Sequence, residues 1–241
     1  MISRKNIKTE SKKIIKNNFK IVLLSIVQII VVGIFIDYCC LQFETNLPGA
    51  NFIFSFFAIG LLFMSLNWIR TNQKPKKPLT DSVEVFKAKY FWSAIKLDVV
   101  SSVMIFLWSL LFVIPGIIKA IQYSQAFAIM KDHIDNDEEF TTMQCITESR
   151  ELMRDNVGSY FIFCLSFIGW GMLFIGVIIT VNIFITSMIG FFIGSALIYF
   201  VFGLLTFYYN YSKAQLYLEL TAEKNDNNTI TAENNSNIVE K

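Results

Sequence analysis

The residues best equipped for chemistry in this sequence form an acidic run around its single histidine. "KDHIDNDEEF", Lys131 to Phe140, sets His133 among Asp132, Asp135, Asp137, Glu138 and Glu139. Carboxylates beside an imidazole are the donor types of a divalent-cation site. The calcium-loop pattern nevertheless fails: counted from Asp135, the sixth position holds no glycine and the twelfth no glutamate. The run therefore reads as a solvated acidic loop preceding a helix. No nucleophile elbow, phosphate loop or zinc-ligand spacing occurs. Cys39, Cys40, Cys145 and Cys164 make neither a disulfide framework nor a metal set, and read as packing residues. No catalytic residue, cofactor or metal is expected.

A second set is polar but uncharged. Gln28, Gln122, Ser124, Gln125 and Ser166 fall inside long apolar blocks. They could line a small polar pocket, although interhelical hydrogen bonding is the commoner use of such residues. Gly190 and Gly194 form a GxxxG that suits close helix packing. The ionisable residues of the blocks, Asp37, Lys96, Asp98 and Lys119, count out to block ends, where long side chains reach the headgroups.

The third set is basic. Arg4, Lys5, Lys8, Lys12, Lys13, Lys16 and Lys20 precede the first apolar block, and Arg70, Lys74, Lys76 and Lys77 follow the second. Lys12, Lys13, Lys16, Lys20, Arg70, Lys74, Lys76 and Lys77 are candidate contacts to anionic lipid, each contributing about 1 kcal/mol near a charged leaflet. Nucleic acid is a poor partner for this pattern, because the cations hug the apolar blocks.

The elements that must carry these residues follow from hydropathy. The chain has 241 residues, 54% hydrophobic, only 17% charged, with 24 Phe. A soluble domain averages about 25% charged. The excess apolar residues lie in blocks long enough to cross a bilayer, near 21–43, 52–69, 97–114, 116–130, 157–180 and 187–209. Residues 1–20 read as a basic juxtamembrane helix on the headgroups. Asp81 and Glu84 suggest a capping box opening a second interfacial helix, with Val83, Phe86, Tyr90 and Ala94 as its apolar stripe. Thr141 and Gln144 suggest a third, ending near Asn156. Residues 21–220 form the membrane domain, and the Asn-rich 221–241 reads as a disordered tail.

Pro115 and Gly116 decide the number of crossings. An unbroken helix from Leu97 to Met130 would be roughly 50 Å long against a ~30 Å hydrocarbon core. Proline fits the first turn of a new helix and not the interior of an old one. Pro115 and Gly116 therefore read as a hinge between two spans. With that break, all 21 Lys and Arg residues except Lys119 fall on the side of the N-terminus. The positive-inside rule then puts both termini in the cytoplasm.

The stretches "FLWSLLFVIPGIIKAIQYSQAFAIMKD", "CITESRELMRDN", "LSFIGW" and "FYYNYSKAQLYLEL" resemble a family of uncharacterised Firmicutes membrane proteins catalogued as domain of unknown function 975. Phe207 stands where that family's late proline is expected, with Tyr208, Ser212, Ala214 and Tyr217 in matching places. The resemblance implies a helical membrane bundle in a bacterial plasma membrane and lends no reaction.

The sequence thus points to an all-α polytopic membrane helix bundle with six transmembrane helices and cytoplasmic interfacial helices. A non-enzymatic scaffold or accessory subunit is the expected role, and a transporter for a small uncharged or amphiphilic solute the alternative. The expected partners are a bilayer with anionic headgroups and another membrane protein.

Overall fold

Long apolar runs without a lipid-accessible alternative for their backbone groups fold as helices, because only intrachain hydrogen bonds satisfy those groups. The computed structural model describes residues 4–43, 50–167, 169, 176 and 188–239, and among them it is all-helical. In chain order the helices are α1 (Arg4–Asn17), α2 (Phe19–Phe43), α3 (Ala50–Thr71), α4 (Pro78–Asp81), α5 (Ala88–Leu111), α6 (Val113–Gln122), α7 (Ala126–Asp135), α8 (Thr142–Leu152), α9 (Val157–Phe167) and α10 (Met188–Val239).

Five helical stretches are long and apolar enough to cross a membrane: Phe19–Cys40, Ile53–Thr71, Ala88–Leu111, Val113–Asp135 and Phe192–Asp226. Of the span expected at 157–180, the described part is the shorter apolar helix α9. The turn expected within "TVNIFITS" lies almost wholly outside the described residues. Residues 221–239, expected as a disordered tail, continue α10 as helix. Once a helix is nucleated each further residue adds one hydrogen bond, so a well-packed helix extends into a sequence that would not start one.

α2, α3 and α10 pack side by side. Val22, Ile26 and Ile29 of α2, Phe57, Leu61, Met64 and Trp68 of α3, and Phe207 and Tyr211 of α10 form one buried cluster. Gly33 and Gly203 permit the close approach: a Cβ at Gly33 would lie 2.6 Å from the Tyr199 ring, and one at Gly203 would lie 2.9 Å from Ile26. The residues singled out for close packing, Gly190 and Gly194, sit in the first turns of α10, with Gly194 buried.

α1, expected on the headgroups, packs against α10 and α2. Ile7 and Ser11 are buried, and the Ser11 hydroxyl accepts from Ser212 at 2.8 Å and lies 2.9 Å from the Gln215 carbonyl oxygen it donates to. The basic helix is thereby docked on α10 at Ser212 and Gln215, while Lys12, Lys13 and Lys16 remain exposed.

The hinge lies three residues earlier than the proline. Phe112 is extended (φ −159°, ψ 145°) and separates α5 from α6, whereas Pro115 lies inside the first turn of α6. Proline stiffens a first turn without losing a needed donor, so it starts the new helix and a freer residue makes the corner. Gly116 serves packing: a Cβ there would meet the Ser109 hydroxyl at 2.1 Å.

The segment after α3 departs most from expectation. Asp81 does not cap a long interfacial helix; residues 78–86 form α4 and a 3₁₀ turn, Glu84–Phe86, and α5 starts only at Ala88. This segment turns back along α3, wedged against α2. Phe86 packs on Phe56 and Phe57, with ring centroids 5.9 and 5.5 Å apart. The Ser82 carbonyl lies where a Cβ on Gly60 would come within 2.0 Å of it. Gly60 is about 15 Å along the α3 axis from Arg70, so the wedge reaches well into the bundle. Gly60→Ala is expected to destabilise the fold by about 1–3 kcal/mol, because backbone on both sides must give. A thermal midpoint in detergent equal to that of the parent would show that the wedge is not seated there.

Candidate functional site: a charged clamp on α7

Three consecutive residues of α7 point in three directions, since successive helical side chains are separated by about 100°. Lys131 lies only 1% exposed, with its ammonium 5.3 Å from the Phe63 ring centroid and 5.2 Å from that of Tyr90. It pairs with Asp135 one turn on, at 2.6 Å. The Tyr90 hydroxyl donates to the other oxygen of the same carboxylate. Asp132 faces α3 and α10. Its Oδ2 accepts from the Arg70 guanidinium at 2.7 Å and from the Tyr217 hydroxyl at 2.6 Å, and its Oδ1 lies 2.7 Å from the other guanidinium arm without a hydrogen bond.

His133 faces the connection to α8. Its Nδ1 lies 2.6 Å from Glu138 and its Nε2 3.0 Å from Glu148. Phe140 stacks on the ring, 5.5 Å away and 15° from parallel. α8 is held in register by its N-cap, where the Thr141 hydroxyl accepts from the Gln144 N–H at 3.1 Å, as the sequence pattern anticipates. Gln144 in turn donates to Glu148 at 2.8 Å. A cavity of about 540 Å³ opens beside this group, lined among others by Asp132, His133, Glu148, Tyr217 and Lys224.

Of the run expected to be a solvated loop, residues 131–135 are helical and residues 136–140 form the largely exposed connection to α8, while Asp132, His133 and Asp135 are each engaged. The spacing Lys131–Asp135, an i,i+4 pair on one helix face, was the available signal. What hid it was the absence of any local sign that Phe63, Arg70, Tyr90 and Tyr217 would converge there.

Chemically the arrangement is a clamp. Asp132 and Asp135 are already bonded to cations and hydroxyls, and Glu138 and Glu148 to the His133 ring and, for Glu148, the Gln144 amide. Cys145, the nearest thiol on α8, is fully buried; burial, with Glu148 nearby, pushes it up to about 12, far from a thiolate nucleophile at neutral pH. Among the described residues no group of three His, Cys, Asp or Glu is arranged to hold a metal ion, and all four cysteines are free.

The five polar residues picked from the apolar blocks fall in three places. Gln28 donates to the Leu79 carbonyl and accepts from the Ser82 hydroxyl at 3.1 Å, fastening the wedge. Ser166 receives the Lys8 ammonium and donates to the Phe163 carbonyl at 2.8 Å. Gln122, Ser124 and Gln125 lie together at the break between α6 and α7. There the buried Ser149 hydroxyl of α8 donates to the Gln122 carbonyl at 2.7 Å and accepts from the Gln125 N–H at 3.1 Å. The side-chain amide of Gln125 is fully buried without a hydrogen-bond partner among the described residues.

Of the basic residues, Lys12, Lys13, Lys16, Lys20, Lys74, Lys76 and Lys77 are exposed at the chain surface. Arg70 differs in that its guanidinium is paired with Asp132. At the far ends of the spans, Asp37 accepts from the Tyr199 hydroxyl at 3.0 Å, and Lys119 lies 4.9 Å over Trp108 while donating to Gln122 at 3.0 Å.

Residues 110–224 match the model of a family described as Protein of unknown function (DUF975). The matched stretch contains Lys131, Asp132, His133, Asp135, Ser149 and Tyr217, hence most of the clamp. No curated protein and no solved structure matches the chain.

Proposed function

We propose, for a chain that belongs over residues 110–224 to the DUF975 family, a membrane-embedded scaffold or accessory subunit without catalytic activity of its own. It sits in a bacterial plasma membrane with both termini in the cytoplasm. Its basic residues Lys12, Lys13, Lys16, Lys20, Lys74, Lys76 and Lys77 meet an anionic inner leaflet, and its partner is another membrane protein. The observation that carries this reading is the use made of Gln28. A solute path would need that amide free to face it, and both its donor and its acceptor are taken by the wedge. The clamp adds support, because its paired carboxylates brace α3, α5, α7, α8 and α10 against one another.

A transporter is the second reading, and one feature favours it. The fourth span is broken at Tyr123–Gln125 with an unpartnered buried amide at the break, and broken spans are where many transporters bind solute.

Cysteine scanning on a cysteine-free background tests both readings. Gln28→Cys and Gln122→Cys are expected to resist a small hydrophilic thiol reagent, and Asn136→Cys and Asn225→Cys to react only from the cytoplasmic side. Fast labelling at both glutamine positions would replace the scaffold by the transporter. External labelling at Asn136 or Asn225 would overturn the orientation.

A further inference from the structure

Beside the last turns of α3 lies a second cavity, of about 290 Å³, lined by Met64, Asn67, Trp68, Thr71, Gln73, Lys74, Pro75, Lys76 and Asp81. The loop after α3 makes it. Asn72 adopts a left-handed conformation (φ 50°), which asparagine tolerates better than most residues. The chain is thereby turned so that the Gln73 N–H reaches the Thr71 hydroxyl at 3.3 Å. Lys74 and Lys76 then line the cavity together with the last turns of α3, and α4 adds Asp81. The cavity floor is apolar: Met64 and Trp68 are buried in the α2–α3–α10 cluster.

The two cavities differ in how their charges are used. Around the clamp, Asp132, Glu138, Glu148 and His133 are all bonded within the chain. Around this one, Lys74, Lys76 and Asp81 make no ion pair and no side-chain hydrogen bond among the described residues. Two cations and one carboxylate with unspent charge face a space at the depth where α3 passes from apolar residues to Arg70. The volume is at the low end for a ligand site, too small for a whole lipid and suited to a headgroup.

We propose that this cavity binds the zwitterionic headgroup of an aminophospholipid. The phosphodiester is held by Lys74 and Lys76, and the primary ammonium by Asp81 and the carbonyl-bearing C-terminus of α3, which favours cations. The site rests on the bilayer placement proposed above and deepens the lipid-contact reading of Lys74 and Lys76. Asp81 supplies the selectivity: a headgroup that carries phosphate without an amine leaves this carboxylate facing an anion, and quaternary methylation of the amine removes its N–H donors.

Native mass spectrometry of the full chain in detergent, titrated with phosphatidylethanolamine, phosphatidylglycerol or phosphatidylcholine, tests the site. The parent is expected to retain phosphatidylethanolamine over both others. Lys74→Gln with Lys76→Gln is expected to weaken that retention about tenfold, from two charges at about 1 kcal/mol each less residual polar contacts. Asp81→Asn is expected to abolish the preference over phosphatidylglycerol while keeping binding. Equal retention of the three lipids by the parent, or unchanged preference in both variants, would overturn the proposal. Displacement by soluble glycerophosphoethanolamine would assign the site to the free headgroup, and resistance to it would assign the site to the lipid; the recognised chemistry is the same in both. The variants lie at the surface, and parent-like thermal midpoints show that they fold. Bilayer placement is read separately by the cysteine scan, so loss of headgroup selectivity would leave it standing.

Discussion

Lys131→Met is expected to lower the stability of the chain by about 3 kcal/mol, the low end for breaking a buried ion pair, which corresponds to a fall of roughly 6–12 °C in Tm. The low end applies because the Asp135 side chain keeps 30% of its exposure while that of Lys131 keeps 1%. Removing the ammonium leaves Asp135 with the Tyr90 hydroxyl and a distant Lys89, 3.9 Å away. It also removes the cation that contacts both the Phe63 and Tyr90 rings. Methionine keeps most of the stem's volume, so the loss reads charge and not a cavity. The informative comparison is Lys131→Met with Asp135→Asn. Taking away both charges is expected to recover at least half of the loss, since the cost arises from the orphaned carboxylate. Thermal unfolding in detergent micelles measures all three proteins. A single variant as stable as the parent would show that the pair does not hold the clamp.

Ser149→Ala strikes the other joint of the same region. One hydroxyl satisfies two backbone groups freed where α6 stops and α7 begins: the Gln122 carbonyl and the Gln125 N–H. Without it, both are left unpaired in a buried site, at a cost of about 1–3 kcal/mol. In lipid the freed groups have no water to turn to, which is why a broken span must be patched by a neighbouring side chain. Ser149→Thr restores the hydroxyl and is expected to recover part of the loss, limited by its extra methyl in a packed position. A Ser149→Ala protein that melts with the parent would mean that the break is satisfied in some other way.

Much of the architecture was legible from residue order. The apolar blocks predict long helices, and the structure has them. The corner in the middle of the chain is also present, although at Phe112 and not at Pro115–Gly116; the stiffness of proline marked the neighbourhood, and the residue with freer φ and ψ made the turn. The Thr141 cap was legible because capping is local, its donor and acceptor being three residues apart. The Asp81–Glu84 pair has the same local signature and does not cap, because residues 78–86 are captured by Gly60 of α3 and Gln28 of α2. Propensity there is outweighed by packing.

The clamp was illegible for the opposite reason. Its bonds join Arg70 to Asp132 across 62 positions, Tyr90 to Asp135 across 45 and Tyr217 to Asp132 across 85. No periodicity in a short window encodes which distant partner a carboxylate will meet. A charged run next to an apolar block therefore looks the same whether it is solvated or buried. The Lys131–Asp135 spacing was visible, but it states only that the two share a helix face.

By itself the sequence determined that this chain is helical, with helices long and apolar enough to cross a membrane, since hydropathy and helix length are sums over neighbouring residues. Only the tertiary structure decided that residues 78–86 fold back into the bundle, that three successive residues of α7 and their partners tie four neighbouring helices together, and that Lys74, Lys76 and Asp81 line one cavity. Those outcomes depend on which elements pack side by side. Packing is settled by the fit of distant surfaces, such as the bare backbone at Gly60 that receives Ser82, and a single-residue property does not record that fit.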